Sequence, residues 1–135
     1  MNLNSESPSV PYAPTLLVDD DKVIPEIVGW VLQRAGCTYS VAANGPECLR
    51  LVREGFRGVI LMDIMMPGMD GWATLRALRD DGLLDGNVVC MLTAVPDPGP
   101  GNEDLAELVF DYLPKPFEGH QLLGMLQTAS GQLAL

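Results

Sequence analysis

Six side chains of this sequence could together handle a phosphoryl group: Asp19, Asp20, Asp21, Asp63, Thr93 and Lys115. Each stands at the end of an apolar run. Thr15–Val18 precedes Asp19-Asp20-Asp21, Val59–Met62 precedes Asp63, Val88–Leu92 precedes Thr93, and a segment ending near Leu113 precedes Lys115. Carboxylates gathered within a few ångströms repel one another and are partly protonated. A hard divalent cation relieves that conflict, and Mg²⁺ takes one or two carboxylates with a phosphate while keeping several waters. An ammonium opposite and a hydroxyl alongside complete what phosphoryl transfer needs, which is positioning and charge neutralisation.

Such a meeting requires strands whose carboxyl ends share one edge. Five apolar segments alternate with helical spacing. Val23, Ile24, Ile27, Val28, Val31, Leu32 and Ala35 follow the helix period, Gly36 closes it, and Pro25 falls in the tolerated first turn. Thr38–Ala42 reads as a second strand. Helices are expected over Pro46–Glu54, from about Asp70 to Asp80, over a short patch Glu103–Val109, and from about Glu118 onward. This alternation predicts an α/β domain with a parallel sheet and helices on both faces. Reactive groups of such sheets gather at the strands' carboxyl ends. Residues 1–14 are polar with three prolines and are expected to form a disordered leader, leaving 15–135 as one domain.

Bulk properties narrow the function. A chain of 135 residues that is 47% hydrophobic can bury one full core. A formal charge of −10 with only eight basic residues argues against nucleic acid, whose phosphates need Lys/Arg stripes. The apolar runs are too short to span a membrane, and no signal peptide is visible, so a cytoplasmic location is expected. Cys37, Cys48 and Cys90 lack metal-ligand spacing and read as buried thiols.

Four segments then carry a resemblance: LLVDDD (16–21), VILMDIMMPGMDG (59–71), MLTA (91–94) and YLPKPF (112–117). In this order, each at a strand's end, they resemble the receiver domain of two-component response regulators over roughly Thr15 to Thr128. The resemblance implies a flavodoxin-like, doubly wound, five-stranded sheet of order 2-1-3-4-5. It implies that Asp63 accepts the phosphoryl group and that Mg²⁺ is held by Asp20 and Asp63, by Asp19 through water, and by the Met65 carbonyl. Lys115, Thr93, the Ala94 amide and the Met65 region would bind phosphoryl oxygens. The Lys115–Pro116 bond would be cis, and Tyr112 would turn inward as Thr93 moves. The implied partners are a histidine kinase or phosphotransfer protein and a downstream protein target, with room for a homodimer. The chain would be a switch that catalyses only its own phosphorylation and dephosphorylation, not an enzyme in the ordinary sense. If the 135 residues are the whole protein, output must be protein contact or onward phosphotransfer.

Plainer readings stand beside these. Asp19–Asp21 could cap a helix, Thr93 could merely end a strand, and Tyr112 could be a half-buried aromatic without a switching role. His120 reads as a surface residue, and Met65, Met66 and Met69 as loop packing. Trp30 could be core or part of a dimer or kinase-docking surface. Prolines at 96, 98 and 100 with Gly99 and Gly101 depart from the family pattern and predict a short or displaced fourth helix. Two rival functions are a phosphorylation-independent interaction module and a haloacid-dehalogenase-type phosphatase. The phosphatase needs a further acidic pair after the lysine, where only Glu118 stands, and it leaves Asp63 unexplained.

Overall fold

The computed structural model describes residues 12–94 and 101–133. The elements run β1 (Thr15–Val18), α1 (Val23–Arg34), β2 (Tyr39–Ala42), α2 (Gly45–Arg53), β3 (Gly58–Asp63), α3 (Gly71–Asp80), β4 (Asn87–Thr93), α4 (Glu103–Ala106), β5 (Val109–Pro114) and α5 (Gly119–Leu133). All strand pairs are parallel, and the sheet order is β2-β1-β3-β4-β5. This is the 2-1-3-4-5 order that the resemblance implied.

The strand sequences explain why the sheet is covered on both faces. Every residue of β1 and of β3 is buried, as strands sandwiched between helix layers must be. The pleat sends alternate side chains to two cores. Leu16, Ile60, Met62 and Met91 meet Cys48, Val52, Leu75 and Leu78 of α2 and α3. Leu17, Leu61, Cys90 and Leu92 meet Val28, Leu32, Leu122 and Leu126 of α1 and α5. All three cysteines are free and buried. Burial pushes the thiols of Cys48 and Cys90 up to about 12, which suits inert core residues.

Local chemistry starts the helices where the chain must turn back from the sheet edge. Asn44 accepts from the Glu47 amide at 2.9 Å, and Asp70 from the Ala73 amide at 2.8 Å. Asp21 does the same for α1, taking the Val23 and Ile24 amides at 2.6 and 3.2 Å. Those two amides hold its carboxyl below the usual aspartate range. The plain capping reading therefore applies to Asp21 alone of the acidic triplet.

Two expectations change, and one reading left open is narrowed. The leader was drawn through residue 14, yet Tyr12 and Ala13 pack on the α1/α5 core. The Ala13 amide donates to Ser130 Oγ at 2.8 Å, and the Pro14 carbonyl accepts from the Val59 amide at 2.9 Å. Residues 1–11 lie outside the described residues. The helical patch expected over 103–109 stops at Ala106, because the Leu108 amide closes a turn on the Leu105 carbonyl and Val109 already pairs with Val89. The fourth helix is thus short, as the prolines predicted, although residues 95–100 themselves lie outside the described residues. Trp30 is not core: it is 61% exposed on α1, with the Arg34 guanidinium 4.8 Å over its ring.

Candidate phosphoryl-transfer site

The parallel register delivers the acidic and basic residues to one edge. Asp19 follows the last residue of β1, Val18, which pairs with Met62; Asp63 follows Met62 and ends β3 opposite Leu92; Thr93 follows Leu92 and ends β4. The Lys115 amide donates to the Thr93 carbonyl at 2.8 Å, which fixes the lysine beside the threonine. The Lys115–Pro116 peptide bond is cis. From there Lys115 Nζ reaches Asp63 Oδ1 at 3.2 Å and Asp19 Oδ2 at 3.7 Å.

Asp19, Asp20 and Asp63 each present a carboxylate oxygen within 4.8 Å of the others, Asp19 and Asp63 buried and Asp20 exposed. Ligand oxygens around one octahedral Mg²⁺ lie roughly 2.9–4.2 Å apart, given bonds of about 2.1 Å. A spread of at most 4.8 Å is compatible with one such cation shared by the three carboxylates. One further observation favours a cation. Asp19 Oδ1 accepts from the Asp21 amide at 2.9 Å, but Oδ2 is buried with no hydrogen-bond partner among the described residues. A buried carboxylate oxygen faced only by the Lys115 ammonium at 3.7 Å is under-satisfied, and a metal cation would complete it.

Burial raises the Asp19 carboxyl above its ordinary range; the Asp21 amide opposes this, nearby Asp63 and Asp20 add to it, and Lys115 offsets part. The folded protein thus keeps the Asp19 proton to higher pH than the unfolded chain does. Stability from this group is present at low pH and lost as pH rises through the folded value. Asp19→Asn keeps the acceptor for the Asp21 amide and removes the charge. In EDTA near neutral pH it should melt a few degrees above the wild type, with the gap closing as pH falls towards 4. Mg²⁺ should stabilise the wild type more than the variant. Coincident melting curves in EDTA at neutral pH would contradict this.

The remaining residues divide. The Met65 amide lies 3.4 Å from Asp63 Oδ1, while its side chain is 75% exposed. Met66 is buried, and Met69 packs on the same core, so loop packing holds for those two only. Ala94 is exposed directly after the buried Thr93. His120 is an exposed residue beside Glu118. Tyr112 is half-buried two residues before Pro114, the partner of Thr93, and its ring packs against Trp72.

Residues 15–127 match the family model of the response regulator receiver domain. The chain belongs to that family. This receiver is similar to a CheY-like response regulator receiver domain protein from Methanospirillum hungatei, at 40% identity and a TM-score of 0.85, covering 90% of this chain and 96% of that one. It is 35% identical over 112 residues to the DNA-binding response regulator MtrA of Mycobacterium tuberculosis, covering 83% of this chain and 48% of MtrA. The receiver thus spans about half the length of the MtrA regulators it matches. Its fold also matches a yeast co-crystal structure of the histidine phosphotransfer protein Ypd1 with the receiver domain of its downstream regulator Ssk1, at 25% identity and a TM-score of 0.80, with 93% of each chain covered.

Two residues near the site had no role assigned from sequence. A Cβ on Gly71 would stand 2.6 Å from the Asp63 carbonyl oxygen and 2.8 Å from Ile64 Cα, so only glycine lets α3 start this close to the acceptor loop. Trp72 follows it and is buried. The signal for Gly71 lay in the segment MDG; nothing in the sequence pointed to the pairing of Trp72 with Tyr112.

Proposed function

We propose that this receiver takes a phosphoryl group on Asp63 from a phosphohistidine of a histidine kinase or phosphotransfer protein, with Mg²⁺, and signals by protein contact. The observation that carries this reading is the convergence of Asp19, Asp20 and Lys115 on Asp63 at one sheet edge. A carboxylate oxygen of Asp63 attacks phosphorus, the P–O bond forms, the P–N bond to the donor imidazole breaks, and the imidazole leaves with a proton. Asp20 and Asp63 would hold Mg²⁺, with Asp19 through water and the Met65 carbonyl as a further ligand. When bound, the cation neutralises charge on the phosphoryl oxygens. Lys115 balances charge on the acceptor and then on the phosphoryl group, and the Thr93 hydroxyl and Ala94 amide donate to its other oxygens.

Phosphorylation adds about −1.5 to −2 charges and strong acceptor oxygens. Bonds from them to Thr93 and Lys115 form in one arrangement only, so the modification shifts a two-state equilibrium that Tyr112 reads. Coupling of this kind is typically about 1–3 kcal/mol. A phosphotransfer partner fits the surface beside the site. Val23 and Ile27 are exposed on α1, and a groove of ≈ 400 Å³ runs between Ile24, Ile27, Val28 and Lys115-Pro116-Phe117. A donor histidine brought to Asp63 would carry its surrounding surface onto these side chains. Three free buried thiols suit a reducing compartment, and the cytoplasm is the proposed location.

Incubation with p-nitrophenyl phosphate and, separately, acetyl phosphate tests the reading. Uptake of one phosphoryl group per chain from acetyl phosphate, without steady p-nitrophenol release, is expected. Continuous turnover would support the phosphatase instead, and no uptake would favour the phosphorylation-independent module. Positions two after the acceptor and two after the threonine tune phosphoryl lifetime in the family, and here they are Met65 and Val95. Neither side chain can orient a water. Loss of phosphate from the purified protein should therefore be slow, and Met65→Asn or Met65→Glu should hasten it. Rapid loss from the wild type would refute the expectation.

A further inference from the structure

We propose that Trp72 is a positioning residue of the switch, holding Tyr112 to the acceptor loop in the unphosphorylated arrangement. This rests on the phosphoacceptor reading of Asp63 and extends it to a residue with no other assigned role.

Three observations connect the two sites. The Gly71 amide donates to the Ile64 carbonyl at 2.9 Å, and the Gly71 position has no room for even a Cβ against the Asp63 carbonyl. The first turn of α3 is thereby seated directly on the backbone of the acceptor. Trp72, the next residue, is 5% exposed in the core shared with Met62, Met91 and Leu75, where a large ring has little freedom. Its ring then meets Tyr112 with centroids 6.4 Å apart and planes tilted by 48°. Aromatic rings within about 4.5–7 Å that are not stacked face to face attract one another.

Tyr112 therefore has two connections to Asp63. One runs through Thr93, whose strand partner Pro114 lies two residues beyond Tyr112. The other runs through Trp72 and the Gly71–Ile64 hydrogen bond. On this proposal, the turn of Tyr112 as Thr93 moves towards a phosphoryl oxygen loosens its contact with Trp72. Trp72 then biases the free protein away from the phosphorylated arrangement, and removing it raises the population competent to take a phosphoryl group.

A double-mutant cycle on the rate of Asp63 labelling by acetyl phosphate in saturating Mg²⁺ tests this. Trp72→Leu should raise the rate by about 2- to 10-fold, the range that the attraction of one aromatic pair corresponds to. Trp72→Phe, which keeps a ring, should stay nearer the wild type. In a Tyr112→Ala background, Trp72→Leu should have no further effect. A second readout does not depend on Trp72→Leu folding. In Trp30→Phe protein, Trp72 is the sole tryptophan. Its fluorescence should change on phosphorylation, and most of that change should vanish with Tyr112→Ala although labelling persists. Multiplicative effects in the cycle, or an unaltered fluorescence change without Tyr112, would overturn the role of Trp72 alone. Failure of the wild type to label would overturn the phosphoacceptor reading, and this proposal with it.

Discussion

Asp63→Asn is expected to take up no phosphoryl group from acetyl phosphate at any Mg²⁺ concentration, while folding as the wild type does. The substitution keeps the shape of a buried side chain and removes, among the described residues, the only carboxylate at hydrogen-bond distance from the Lys115 ammonium. An amide oxygen is a poor nucleophile, and the other acids cannot substitute. Asp19 has one oxygen committed to the Asp21 amide, and Asp20 belongs to the exposed rim of the cluster. The loss should reach the detection limit of intact-mass measurement. Stability in EDTA should not fall, since removing one of two neighbouring buried carboxylates relieves repulsion on Asp19. Residual labelling of the variant would mean that another residue accepts the phosphoryl group.

Lys115→Ala should slow labelling on the order of 10²–10³-fold, the usual effect of deleting one preorganised charge-stabilising group. Lys115 is the one cation within 4 Å of the cluster among the described residues. It faces Asp63 before transfer and the phosphoryl oxygens after it, so its charge matters most where negative charge is passed between them. Without it, Asp19 and Asp63 share a buried site with no counter-charge, and the variant should lean more heavily on Mg²⁺ for stability than the wild type does. Lys115→Arg should recover only part of the rate, because a planar fork cannot occupy the place of a compact ammonium between two carboxylates. Labelling of Lys115→Ala at the wild-type rate would remove the lysine from the mechanism. Thermal melts with and without Mg²⁺ separate a folding defect from a chemical one.

The fold was legible because its strands announce themselves. Leu16-Leu17-Val18 and Val59–Met62 are unbroken apolar runs, which only a sheet covered on both faces requires. Each run is followed by a residue with chemistry, and parallel register brings such residues to one edge whatever the loops do. The parts that were not legible depend on contacts far apart in sequence. Ala13 bonds to Ser130, at the other end of the chain, a contact that nothing in the polar, proline-bearing segment around it announces. The end of α4 is set by pairing of Val109 with Val89, which overrides the helical spacing of residues 103–109. Asp19, Asp20 and Asp21 look equivalent by residue type; the resemblance singles out the first two, and the geometry adds that Asp21 caps α1. Trp30 has helical spacing compatible with a core position, yet α1 turns it outward beside Arg34. The Trp72–Tyr112 contact joins residues from α3 and β5, and no local pattern encodes it.

The central claim is that Asp63 carries the phosphoryl group, and trapping the modified residue tests it most directly. An acyl phosphate on aspartate is reduced by borohydride to homoserine, a change that peptide mass spectrometry can place on one residue. After incubation with acetyl phosphate and Mg²⁺, homoserine is predicted at position 63 and at no other aspartate, and it should be absent when EDTA replaces Mg²⁺. Conversion at Asp19, Asp20 or elsewhere with residue 63 intact, or conversion that is indifferent to Mg²⁺, would contradict the account.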